Sequence, residues 1–265
     1  MTVPRLLNFG CGATFHPAWV NLDSAPIGPG VLAHDVSSGF AYPDNAFNAV
    51  YGSHVLEHLP PETARVVLRD CFRILRPGGI VRIVVPDLEA MAKLYLESLE
   101  GAAKGDAQSA MRYDWLMLEL YDQVSRTASG GRMAAYLRSP LEARQATFVS
   151  SRIGDEAFSA AQNGRQPAPR GVRALLAQAC AFVFLGPRGS TALREGMFRR
   201  GGEVHQWMYD RFSLGRELRS AGFVDVRACA ADESAIPGFA GYGLETANGR
   251  ARKPDSLYLE GYKPA

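Results

Sequence analysis

The chain has 265 residues, 47% of them hydrophobic and 21% charged, which is ordinary for a globular protein and enough for one substantial domain or a domain with a large insertion. Its 29 Lys and Arg exceed its 27 Asp and Glu by only two, which gives no electrostatic case for a nucleic-acid partner. The four cysteines, Cys11, Cys71, Cys180 and Cys229, show no Cys-x-x-Cys spacing and fit reduced thiols in a cytoplasmic protein. No charged region followed by an apolar core opens the chain, so a secretory leader is not expected. The longest apolar run, 174–185, is too short to span a bilayer and reads as a buried helix, so integral membrane association is not expected.

Residues 5–90 alternate short apolar runs with turns. Leu6–Phe9 reads as a strand that runs into the glycine turn Gly10-Cys11-Gly12, and Val20–Leu22 as a second strand ending on Asp23. Val31–His34 and Ala49–Tyr51 follow, the latter entered through the turn-rich Tyr42–Ala46. Pro61 suits the first turn of a helix, with Glu62 favouring its N-terminal dipole and Val66, Val67, Cys71, Ile74 and Leu75 at the spacing of a buried face. Arg76-Pro77-Gly78-Gly79 ends that helix, and Ile80–Val85 is the clearest strand. Strands alternating with helices predict a parallel sheet covered on both faces.

Residues 88–200 differ in character. Leu88–Leu99 and Met111–Val124 read as helices, broken by Ser129-Gly130-Gly131. Further helical segments lie near 139–151 and 172–185, and Arg165–Pro169 reads as an exposed loop. A helix over Ser213–Ala221 then has Ser213 as its N-cap and Gly222 as its C-cap. The strand Val224–Cys229 and a last strand, Leu257–Tyr262, complete the pattern. The predicted organisation is a sheet domain of residues 1–90 and 203–265, with a helical insertion over 91–202.

A strand, a glycine turn and a carboxylate ending the next strand suit a cofactor that bears a nucleoside. Glycine lets backbone approach the ligand without a Cβ, and the acid accepts hydrogen bonds from ribose hydroxyls. Thr14 stands where a third glycine would be expected. A competing spelling is His54-x-x-Glu57-His58, which on a helix would hold Zn²⁺ between two imidazoles with Glu57 as base; Glu97, Glu100 or Glu119 would supply a third ligand. Leu59-Pro60-Pro61 breaks any helix directly after it, so a packing or capping role for His58 is preferred, and no metal is expected. Cys11 reads as packing, Tyr113–Asp122 as a helix with a buried stripe, and the arginine-rich 194–200 as a solvated face.

Asn8–Gly12, Trp19–Asp23, Tyr42–Phe47, Ser53–His58, Arg73–Gly79, Ile83–Leu88, His205–Asp210 and Ala221–Phe223 together resemble the class I S-adenosylmethionine-dependent methyltransferases. The resemblance is to the type 11-like branch associated with sugar and cell-surface polysaccharide genes. It implies an α/β, Rossmann-like sheet of seven mostly parallel strands with helices on both faces, and the α-helical insertion as an acceptor-side cap. It implies Phe9, Gly10, Cys11 and Gly12 along S-adenosylmethionine, Asp23 on the ribose, and Asp35 on the adenine amino group with Val36 beside the ring. Gly52 and Ser53 would approach the methionine portion. Asn8 and Asn48 depart from acids common at those places, and the short interval from Gly12 to Asp23 implies a reduced or absent first helix.

The implied reaction is in-line displacement at the sulfonium methyl, which gains chiefly from proximity and orientation and leaves S-adenosylhomocysteine. A hydroxyl acceptor gains from a base, for which His54 and His205 are candidates, while Asp87 would orient or polarise the acceptor. O-methylation of a sugar or glycan hydroxyl leads, with a small aromatic or lipid-like metabolite as the alternative acceptor. A non-catalytic module that only binds S-adenosylmethionine is the alternative from another class. The insertion could supply a homodimer surface.

Overall fold

The computed structural model describes residues 5–164 and 172–265, those from 172 to 182 by backbone alone. The expected loop Arg165–Pro169 and the Cys180 side chain fall outside the described residues. The chain divides into two compact units, Met1–Lys93 with Arg152–Gly154 and Gln206–Ala265, and Leu94–Ser151 with Asp155–His205.

The first unit is built on β1 (Leu6–Phe9), β2 (Val20–Asp23), β3 (Val31–Ala33), β4 (Phe47–Ser53), β5 (Leu75–Pro86), β6 (Val224–Cys229) and β9 (Ser256–Tyr262). Their order is β3-β2-β1-β4-β5-β9-β6, with β9 antiparallel to both neighbours and the first five strands parallel. This is the expected seven-stranded, Rossmann-like sheet. A short hairpin, β7 (Thr246–Ala247) and β8 (Arg250–Ala251), turns at Asn248-Gly249, both at positive φ. The strand expected from Ile80 begins five residues earlier, because Leu75 already pairs with Phe47.

Alternation along the strands makes two apolar faces. Leu7, Val50, Val81, Ile83 and Leu259 pack with Val67, Leu68, Cys71 and Ile74 of α1 (Pro61–Ile74) and with Leu214 and Leu218 of α8 (Arg211–Ser220). Val66, expected on that buried face, is exposed; Ala64 and Leu68 complete the stripe instead. The N-cap of α8 is Asp210, not Ser213. Ser213 is the third helical residue of a capping box, whose N–H reaches Asp210 Oδ1 at 2.7 Å while Asp210 N–H reaches Ser213 Oγ at 3.0 Å. Gly222 follows the C-cap Ala221 at φ 106°.

The other face carries Leu6, Trp19, Ala49, Tyr51, Val84 and Tyr258 against Ile236, Phe239 and Leu244. Two buried polar pairs sit here. Arg82 of β5 reaches Glu260 of β9 at 2.8 Å, both fully buried, and also donates to the carbonyls of Ala230 and Glu233. Nearby, the Tyr51 hydroxyl donates to Glu245, with Arg82, Lys253 and His54 as the other charged or titratable neighbours of that carboxyl.

Burial pushes the Glu245 carboxyl above its ordinary value, with the Tyr51 bond opposing. Such a group holds its proton more tightly folded than unfolded. Its contribution to stability is therefore complete below the ordinary carboxyl value of about 4.3 and is lost as pH rises through the raised folded value. Glu245→Gln keeps an acceptor for Tyr51 and carries no charge. Its stability relative to the natural chain is expected to improve as pH rises from pH 4 in urea denaturation followed to pH 8. A constant difference across that range would contradict the assignment.

The second unit is helical. It takes the end of α2 (Leu88–Ala103), then α3 (Ala107–Ser125), α4 (Gly131–Arg138), α5 (Ala143–Ile153, whose last two residues belong to the first unit), α6 (Asp155–Gln162) and α7 (Val172–Arg199). The helix expected near 139–151 is α5, which runs from Ala143 to Ile153, while α4 lies before it and is not among the expected helices. α7 is two helices joined across Gly186, at φ 66° and ψ −179°, where Pro187 blocks continuation. Trp115 and Leu116 are buried as the expected stripe, and Asp122 accepts from the N–H groups of Arg132 and Met133 at the start of α4. No helix among the described residues is long and apolar enough to cross a membrane.

Candidate functional site

The strand order reverses between β1 and β4. In an open parallel sheet, such a switch point leaves a crevice at the carboxyl ends, because the chain leaves the two adjacent strands in opposite directions. Gly10–Gly12 leave β1 there, Asp23 ends β2, and Ser53 and His54 leave β4. The sheet thereby gathers at one edge the residues expected along the cofactor.

The glycine turn and the acid are bonded directly. Asp23 Oδ2 accepts the Gly12 N–H at 2.8 Å and Oδ1 accepts the Ala25 N–H at 2.8 Å. An ionised carboxylate offers about four acceptor sites, so lone pairs remain on a half-exposed group for a ribose diol. The Cys11 N–H holds the Leu22 carbonyl at 3.1 Å, tying the same turn to β2. The Cys11 thiol is buried, and burial, followed by the charge of Asp23, pushes its pKa up to about 11, which makes it a poor nucleophile at neutral pH.

Asn8, which departs from the acid common at its place, has a physical reason. It is buried and faces Asn21 across the β1–β2 pairing. Its amide donates to Asn21 Oδ1 at 3.1 Å and to the Thr14 carbonyl at 3.2 Å. Asn21 in turn donates to the carbonyls of His16 and Trp19 at 3.0 and 2.9 Å. An acid at position 8 has no proton to give at neutral pH and could not make those bonds. Two amides thus hold residues 10–19 as turns, with no helix between β1 and β2.

The three glycines of the site play different parts. At Gly10, φ is 62° and a Cβ would stand 2.2 Å from Val55 Cγ2, so the turn is packed closed. At Gly52 a Cβ would meet the Phe9 ring at 2.2 Å, which places the Phe9 side chain in the core under the strand. Gly12 has φ 50° and nothing within 4 Å of its Cβ position, so the backbone there faces open space that a ligand could use. Gly12→Ala is expected to cost the fold about 1 kcal/mol, the strain of a left-handed alanine, while weakening more than tenfold the S-adenosylmethionine binding that the resemblance implies. Calorimetry and thermal melting on one sample separate the two effects. Equal losses in both would remove the reason to place a ligand there.

Asp35 is exposed beyond β3 and caps the short turn Val36–Ser38, accepting from Ser37 N–H at 2.9 Å and Ser37 Oγ at 2.7 Å through Oδ1. The Ser37 hydroxyl, then its N–H, hold the carboxyl below its usual range. Val36 is buried against the core with Phe40. Asp87 acts locally in the same way, its Oδ1 accepting the Ala90 N–H at 3.1 Å at the start of α2.

His54 is the most constrained of the expected catalytic groups. It follows β4 at φ 55°, a region uncommon for a residue with a Cβ, and its N–H holds the Val84 carbonyl at 2.8 Å. Its Nε2 lies 2.8 Å from Ser256 Oγ, and its Nδ1 lies 3.2 Å from Oε1 of the buried Glu57. His58 Nε2 approaches the same oxygen at 3.9 Å. Residues 56–58 form a single 3₁₀ turn, so the α-helical spacing that the zinc reading requires is not adopted. His205 belongs to the helical unit, where it is buried with its N–H on the Gln123 carbonyl at 3.0 Å. Ser256, Glu57 as a partner of His54, and Lys253 carry no signal in the sequence that would single them out. Lys253 is half-buried, and burial lowers its ammonium pKa against the opposing charges of Glu57, Glu245 and Asp255.

A family model described as a methyltransferase domain matches residues 16–83. The curated protein "Probable methyltransferase ltbC" of Aspergillus luteorubrus is 28% identical over 118 residues, 40% of this chain. The match spans 41% of that relative's length. Among solved structures, the complex of the Haloferax volcanii Trm112 methyltransferase activator with a methyltransferase is 11% identical, covering 100% of this chain and 84% of that one at a TM-score of 0.41. A SAM-dependent methyltransferase from Archaeoglobus fulgidus is 12% identical, covering 98% and 86% at a TM-score of 0.39. Residues 16–83 are thus similar to a methyltransferase domain, and they lie in a seven-stranded sheet of Rossmann-like order.

Proposed function

We propose that the chain is an S-adenosylmethionine-dependent methyltransferase that O-methylates a hydroxyl of a sugar or glycan. The observation that carries the reading is the clasp of Asp23 on the Gly12 N–H beside an open Gly12, at the switch point of a sheet whose residues 16–83 match a methyltransferase domain model. The residues fit the cofactor: Asp23 has acceptor sites for the ribose, Asp35 Oδ2 stands at the next strand end for the adenine amino group, and Gly12 leaves backbone bare. Bound there, the cofactor supplies an activated sulfonium methyl, so the chain needs to align an acceptor oxygen and accept its proton. His54, His205 and Asp87 are the groups proposed for that proton and that alignment. The sugar acceptor rests on the resemblance of the motifs from Asn8–Gly12 to Ala221–Phe223, taken together, to the polysaccharide-associated branch.

Calorimetric titration of the metal-stripped chain with S-adenosylmethionine and S-adenosylhomocysteine tests the first half. Micromolar binding of both is expected, and binding of neither sinks the reading. Methyl glycosides of rhamnose, mannose, glucose and galactose, scored by S-adenosylhomocysteine release, test the second half. Release with simple phenols or fatty acids but with no glycoside would replace the sugar by the alternative acceptor.

A further inference from the structure

Both ring nitrogens of His54 lie against side chains of its own unit. Nδ1 faces the Glu57 carboxylate at 3.2 Å and Nε2 meets Ser256 Oγ at 2.8 Å. A carboxylate this close to Nδ1 favours a proton on that nitrogen, since a bare lone pair there would face another. Nε2 is then the acceptor and the Ser256 O–H the donor. The Tyr258 hydroxyl, which also neighbours Ser256, donates to the Lys253 carbonyl at 2.9 Å and so needs no acceptor from Ser256, while its oxygen competes with His54 Nε2 for the Ser256 proton. The left-handed backbone of His54, held by the Val84 carbonyl, is what turns the ring between the two partners. Strain of this kind persists where the surroundings over-determine it.

We propose that Ser256, His54 and Glu57 form a proton relay in which Ser256 presents the hydroxyl that meets the methyl acceptor, His54 Nε2 takes the proton, and Glu57 is the positioning residue. This rests on the methyltransferase reading above. In the step, the acceptor O–H passes its proton to Ser256 Oγ as the proton of Ser256 moves to His54 Nε2. The acceptor oxygen forms its bond to the methyl carbon, and the carbon–sulfur electron pair leaves with the thioether. An imidazolium beside the Glu57 carboxylate remains, and it returns its proton to solvent before the next turnover. His54 so placed reaches an acceptor only through Ser256, which is why a serine on β9, far away in sequence, enters the site.

Tautomer decides the matter. Long-range ¹H–¹⁵N spectra of the full chain with labelled histidine, at pH 8 and with His54→Asn for assignment, are expected to show a neutral His54 protonated on Nδ1. Ser256→Ala is expected to move its Nε2 resonance while S-adenosylmethionine affinity stays within threefold. Methyl transfer to whichever glycoside is accepted is expected to fall about 100-fold. Glu57→Gln is expected to shift the proton toward Nε2; should that buried substitution prevent folding, Ser256→Ala still decides. An Nε2–H tautomer, an imidazolium, or an Nε2 signal indifferent to Ser256→Ala overturns the relay. Failure to bind S-adenosylmethionine with the Nδ1–H tautomer intact sinks the methyltransferase reading and leaves the geometry standing, so the two failures are distinguishable.

Discussion

Asp23→Ala is expected to raise the dissociation constant for S-adenosylmethionine by at least about 100-fold. A hydrogen bond to a charged group is worth about 1.5–3 kcal/mol, and two ribose hydroxyls would lose theirs together. The substitution also frees the Gly12 and Ala25 N–H groups, which Asp23 holds at 2.8 Å each, so the turn that faces the ligand loses its brace. Asp23→Asn separates these effects. An amide oxygen can still accept from Gly12, but it carries no charge and offers half the acceptor sites. Its affinity is expected between that of the natural chain and that of Asp23→Ala, with fold stability close to the natural value. Titration calorimetry and urea denaturation measure the two quantities. An unchanged dissociation constant in Asp23→Ala would remove this acid from the site and, with it, the main support for the cofactor.

The parts of this architecture that sequence reasoning reaches are those carried by local pattern. Leu6–Phe9, Ile80–Val85 and Leu257–Tyr262 announce themselves as apolar runs. Pro61 opens a helix, and glycines with an acid after the next strand mark a ligand edge. Val66 misleads because two adjacent valines fit one helical stripe on paper, whereas five buried positions at 64, 67, 68, 71 and 74 define the real face. Ser213 misleads because either member of a capping box can pass for the cap. The hairpin at Thr246–Ala251 is legible in principle from Asn248-Gly249, the dipeptide that favours a two-residue turn with both φ positive. What no local pattern carries is pairing between distant strands. Ser256 lies 202 residues beyond His54, and Glu245 lies 194 beyond Tyr51. Only the assembled sheet makes them neighbours, with β9 beside β5 for Ser256 and the segment before β7 for Glu245.

The same long-range pairing places the largest expected stability effect. Glu260→Ala should lower unfolding free energy by about 3–5 kcal/mol, because it leaves the Arg82 guanidinium buried without its carboxylate. Arg82 would keep the carbonyls of Ala230 and Glu233 and the Cys229 sulfur, but none of these neutralises its charge. Glu260 also accepts from Ser234 Oγ and from the Ala235 N–H at 2.8 Å, so the same change loosens the segment that covers this face. Arg82→Met is expected to cost a similar amount from the other side. The double variant Arg82→Met with Glu260→Leu removes both charges, and its cost is expected to fall short of the sum of the two single losses by at least about 2 kcal/mol. Additive losses would mean that the two side chains contribute separately, through their backbone partners alone. The pair also fixes register. Arg82 and Glu260 are direct cross-strand partners, and a one-residue slip of β9 would turn Glu260 onto the opposite face, toward Val81 and Ile83, while turning Leu259 off it. A stable double variant whose amide spectrum shows more than one set of signals for β9 would show the buried charges selecting a single pairing. One set of signals would assign the register to the apolar alternation of β9 itself.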